Sequence, residues 1–138
     1  MRSLLSLCLI FFVLNSFAQN DSGRSIPIAD ALGSDLIQVT AKGNENSPHY
    51  IQPLILQLKN TSEKPLTIAL KAGQIFNSED PDMQDIILTD NEMIALKAGE
   101  SLDQPIFGMC IQEYNGAPND QAIYTLGKMA EGNLATVA

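Results

Sequence analysis

Between residues 51 and 71 apolar side chains alternate with their neighbours so regularly that few backbones can accommodate the pattern. Leu54, Leu56 and Leu58 fall on one side of the run, with Ile55 and Gln57 on the other. Leu66, Ile68 and Leu70 then alternate with Thr67, Ala69 and Lys71. A period of two is the repeat of a pleated strand with one buried face, whereas a helix would scatter these leucines around its circumference. The polar segment 60–65 (NTSEKP) has turn chemistry, so the two runs predict a β-hairpin. Ile37, Val39 and Ala41 alternate with Gln38 and Thr40 in the same way, and a loop-like stretch follows over 42–48. Shorter apolar runs at 84–89, 93–96 and 102–112 bring the total to about six strands.

A short repeat supports this reading. The sequence IALKAG occurs at Ile68–Gly73 and again at Ile94–Gly99. Both copies predict a strand that runs into a turn where glycine supplies a positive φ. Two copies are too few for a solenoid. Short strands spaced by turns predict a mainly β fold: an immunoglobulin-like antiparallel β-sandwich, with a small open barrel as second choice. The Cys–Trp–Cys hallmark of antibody domains is missing, because the chain contains no Trp.

The two ends depart from the strand pattern. Ile26–Leu32 predicts a short helical turn or an edge strand, since Pro27 has no place in a central one. Near the other end, Asn119 or Asp120 can cap a helix. Ala122, Ile123, Leu126, Met129 and Ala130 sit at helical spacing, and Gly132 is a stop. A short C-terminal helical segment is therefore expected over 116–138, with its apolar end suggesting a longer protein.

Residues 1–18 have the layout of a secretory signal peptide: Met1-Arg2-Ser3, an apolar run over 4–14, then Ser16 and Ala18 before a cut. The run is too short to span a membrane as a helix, which needs ~20 apolar residues. The expected organisation is a signal peptide over 1–18, a tail and lead-in over 19–35, a β-sandwich over 36–115 and the helical segment. The location expected is secreted, periplasmic or cell-surface. Processing removes Arg2 and takes the net charge from -8 to -9; it also removes Cys8 and leaves Cys110. So acidic a chain is not expected to bind nucleic acid, because phosphate calls for a basic face.

The segments LQLKNTSEKPLTIALKAGQIF, QDIILT, ALKAGES and FGMCIQEYNGAPNDQAIYTLGKMAEGNL span most of residues 26–138. Together they resemble a family of secreted bacterial immunoglobulin-like β-sandwich proteins. The most specific part is the ordered set Gly108, Cys110, Pro118, Gly127 and Met129. The resemblance implies a fold and export, and no activity.

Candidate chemistry is sparse. Glu79, Asp80, Asp82 and Asp85 lie in one loop, and such a group of oxygens is how a chain presents ligands to Ca²⁺. An EF-hand is excluded by Pro81 and by the lack of a turn glycine, so the loop is a weak Ca²⁺ candidate or a solvated crossover between strands. Cys110 stands in an apolar run (FGMCI), where burial makes a thiol inert. The alternatives for it are an intermolecular disulfide, a nucleophilic pair with His49, the chain's one histidine, or a thioester crosslink with Gln121. Zinc needs three or four ligands that this composition hardly supplies. Asn60-Thr61-Ser62 matches a glycosylation sequon and is read as surface exposure. The expectation is a secreted, non-catalytic binding or structural module for a protein or glycan, with the acidic 79–85 loop as its prime surface. The alternatives are a small extracellular enzyme around Cys110, His49 or that loop, and a Ca²⁺-stabilised module.

Overall fold

The structure, a computed structural model, describes residues 24–136 apart from Pro48. Ile26–Pro27 (β1) leads directly into a short helix, Ile28–Gly33 (α1), so the lead-in is both edge strand and helical turn. Eight further strands follow: Ile37–Gly43 (β2), Tyr50–Asn60 (β3), Leu66–Leu70 (β4), Gln74–Ser78 (β5), Ile86–Leu88 (β6), Glu92–Leu96 (β7), Ser101–Cys110 (β8) and Ile123–Met129 (β9). Six of them close a barrel in the order β2-β3-β8-β6-β5-β9, and β1-β4-β7 form a second sheet. Strand neighbours are antiparallel except β1 and β4. The mainly β expectation holds, but the larger sheet is a closed barrel where a sandwich was expected.

The alternation read from sequence is what fills the interior. Leu54, Leu56 and Leu58 of β3 meet Ala41 of β2, Ile106 of β8, Ile86 and Leu88 of β6, and Phe76 of β5 in one cluster. The second sheet adds Ile68, Leu70, Ile94 and Leu96, and α1 adds Ile28 and Ala31. Each large side chain buried this completely contributes roughly 1.5–3 kcal/mol. Burial of this kind can hold the fold without a disulfide.

Three expectations need correcting. The runs at 51–59 and 66–71 are strands but not a hairpin. β3 pairs with β2 and β8, whereas β4 pairs with β1 and β7. The 61–65 turn therefore crosses between sheets, because both strands keep a buried face without facing each other. The expected C-terminal helix is β9 followed by a 3-10 turn at Gly132–Thr136. Its apolar residues fit both periods, and tertiary pairing decides: Tyr124 lies opposite Ala41 and Ser78, and Leu126 opposite Phe76. Asn60 of the sequon is fully buried, so the surface reading fails there. The repeat behaves as expected, with φ of 87° at Gly73 and 69° at Gly99.

Candidate functional site

The acidic loop is laced into the barrel. The Asp85 carboxylate accepts from the Ser78 N–H at 2.8 Å, Gln112 Nε2 at 2.9 Å and Asn77 Nδ2 at 3.3 Å. Its main-chain N–H donates to Gln112 Oε1. Asp80 turns back on its own loop and accepts from the Asp82 N–H at 2.9 Å. Gln84, also buried, donates to the Asn115 carbonyl at 3.0 Å and accepts from the Gln112 N–H at 3.2 Å. Glu79, Asp80 and Asp82 are exposed. Among the described residues no three His, Cys, Asp or Glu side chains meet as metal ligands. Asp85 thus serves as a hydrogen-bond hub that ties the loop to the segment after β8.

Cys110 and His49 are joined through the main chain, the Cys110 N–H donating to the His49 carbonyl at 3.1 Å. Their side chains sit in different surroundings. His49 is exposed, whereas Cys110 is half-buried, in register with Ile86 on the row that faces the interior. Burial pushes its thiol up from the ordinary 9.0, which a main-chain hydrogen bond partly offsets. A raised thiol holds less of the nucleophilic thiolate at neutral pH. Nearby, Tyr124 is 3% exposed, and its hydroxyl finds no hydrogen-bond partner among the described residues. Burial pushes it up to about 12, with the Cys110, Asp85 and Asp80 charges adding and the nearby Ser78 side chain, short of hydrogen-bond geometry, partly offsetting. Both groups stay protonated at neutral pH, far from the poise of a general base.

The start of β3 is different. Ser47 Oγ donates to the Tyr50 carbonyl at 2.7 Å and accepts from the Gln52 N–H at 3.1 Å. Asn44 reaches the same segment, its Nδ2 donating to the Gln52 carbonyl and its N–H to the Pro53 carbonyl, both at 2.8 Å. The β2–β3 loop thus clamps residues 50–53. There the ladder slips: Ile51 faces Gly108 and Leu54 faces Ile106, so Gln52 and Pro53 bulge opposite Phe107. A bulge is where a strand tolerates proline. Ile51 has a φ of 74°, a left-handed conformation that costs a β-branched residue roughly 1–2 kcal/mol.

Ile51 lies in the row that faces the interior, opposite Gly108, yet its side chain is 57% exposed. Tyr50 beside it is 66% exposed and Phe107, across the bulge, 41%. A shallow recess of about 250 Å³ runs alongside, lined by Asn46, Ser47, His49, Tyr50 and Ile51. Other exposed apolar residues, such as Met93 and Tyr114, stand on separate elements. Single residues of that kind are ordinary surface. Sequence reasoning directed attention to the acidic loop and passed over Tyr50 and Ile51. The available signal was Pro53, which breaks the alternation just before Leu54. The chain matches no protein family, no curated protein and no solved structure.

Proposed function

We propose that this chain is an exported, non-catalytic binding module that engages a partner protein through the surface formed by Tyr50, Ile51 and Phe107. The observation that carries the reading is the strained, clamped Ile51, held at a φ of 74° with its side chain in solvent. Backbone strain persists where the surroundings over-determine it, and it clusters at sites that bind. Aromatic residues with an aliphatic neighbour on a rigid support are the usual anchors of protein interfaces. The clamp by Asn44 and Ser47 lowers the ordering cost of docking. The reading as a module rather than an enzyme draws support from Cys110 and His49, whose side chains occupy different environments. The finer kinship, to immunoglobulin-like sandwich proteins, rests on the sequence resemblance alone, since the larger sheet is closed into a barrel. Export rests on residues 1–18, which lie outside the described residues.

The test is co-purification from the producing cells with the native protein, a Tyr50→Ser/Ile51→Ser variant and a Tyr114→Ser control. A partner retained by the native protein and the control, and lost from the double variant, is expected. Equal recovery with all three would overturn the reading.

A further inference from the structure

The opposite end of β3 lies beside a second surface, and this one is cationic. A groove of about 560 Å³ is lined by the apolar Ile26, Pro65, Leu66 and Ala95 and by the cationic Arg24, Lys64 and Lys97. These are three of the seven cationic side chains among the described residues, in a chain whose net charge is -8. None of the three forms an ion pair with a described residue. Glu100 is the one acidic residue lining the groove. Its carboxylate accepts from the Lys97 N–H at 2.6 Å.

The groove is braced by a buried side chain. Asn60, fully buried, donates from Nδ2 to the Lys64 carbonyl at 2.8 Å and to the Lys97 carbonyl at 2.9 Å. Its Oδ1 accepts from the Ser62 N–H at 2.9 Å and from Ser62 Oγ at 2.8 Å. One amide thereby locks the β3–β4 turn to the β7–β8 turn and fixes the spacing of the two lysines' main chains. The lysine of the second IALKAG copy, Lys97, is thus assigned a place.

We infer that this groove docks an acidic, extended peptide segment of a partner, with apolar side chains against its apolar lining and carboxylates near Arg24, Lys64 and Lys97. Charge complementarity selects an anionic occupant, since the cations form no ion pair with a described residue. The chain's overall negative charge repels long polyanions, which disfavours nucleic acid and leaves a short acidic stretch as the match. An open, partly apolar groove lying across the end of the β1-β4-β7 sheet suits an extended chain better than a small enclosed ligand.

Fluorescence anisotropy with a labelled peptide of alternating glutamate and leucine tests this directly, against a lysine–leucine peptide as counterpart. The acidic peptide is expected to bind, and to weaken as salt rises from about 0.05 to about 0.3 M. A Lys64→Glu/Lys97→Glu variant is expected to lower that affinity by at least about tenfold. A Lys59→Glu/Lys71→Glu variant, with the same net charge change on exposed lysines away from the groove, is expected to retain it. Both pairs are exposed, and a circular dichroism melt confirms that each variant is folded. Equal binding of the two peptides, or equal loss in both variants, would overturn the inference. So would full competition by decanoate, which would assign the groove to a free lipid carboxylate.

Discussion

Asn60 has every polar atom of its side chain engaged inside the protein, and that fixes what its removal must cost. Asn60→Ala strips partners from the Lys64 and Lys97 carbonyls and from the Ser62 N–H. Leaving such groups unsatisfied, with a cavity beside them, is expected to cost ~3 kcal/mol and to lower Tm by ~10 °C in calorimetry. Tyr124 makes a different demand, on pH. Its hydroxyl is pushed up to about 12 from an ordinary 10.0, so above pH 10 the unfolded chain loses that proton before the folded one does. Stability is then present in full below pH 10 and is lost as pH rises through about 12. Cys110, raised by burial from 9.0, acts with the same sign. Tyr124→Phe is expected to flatten the alkaline limb of a Tm-against-pH curve while leaving Tm at pH 7 unchanged or slightly raised, since the lost hydroxyl had no hydrogen-bond partner among the described residues. An unchanged alkaline limb would sink this account of Tyr124.

At the scale of elements, the barrel depends on a narrow seam. β2 and β9 are in register at two positions, Ala41 with Tyr124 and Lys42 with Ile123. The Gly43 N–H adds a bond to the Ala122 carbonyl at 2.9 Å. A Cβ on Gly43 would fall on the main chain of Asn119. Gly43→Ala is therefore expected to cost about 1–3 kcal/mol and to raise amide exchange in 123–126 more than in 54–58. This seam is also where sequence reading reached its limit. The faces of β2, β3 and β4 were legible because each keeps a period of two over several residues. β9 was not, because Ala122, Ile123 and Leu126 suit a helix as well as a strand, and contact with Ala41 and Phe76 decides between them. The pairing partners of β3 and β4 were hidden for a related reason. Alternation marks which face is buried but says nothing of which strand lies alongside. In the acidic loop, sequence identified the carboxylates but not the glutamines, Gln84 and Gln112, that convert Asp85 into a structural hub.

Across the whole molecule, the eleven-residue β3 separates two surfaces of unlike chemistry. Its start displays Tyr50 and Ile51 from a clamped and strained backbone; its end, through Asn60, braces a cationic groove. A rigid barrel between them suits a module that holds a partner in a fixed pose. The account expects the mature exported chain to begin at Gln19, which intact-mass measurement of the secreted protein checks. Its central claim is that the Tyr50 surface is where a partner sits. The most direct measurement places a photoreactive phenylalanine analogue at Tyr50, with Tyr114 as the control position, and irradiates the producing cells. The account predicts one discrete, light-dependent adduct from position 50 and none from position 114. The same adducts from both positions, or none from position 50, would contradict it.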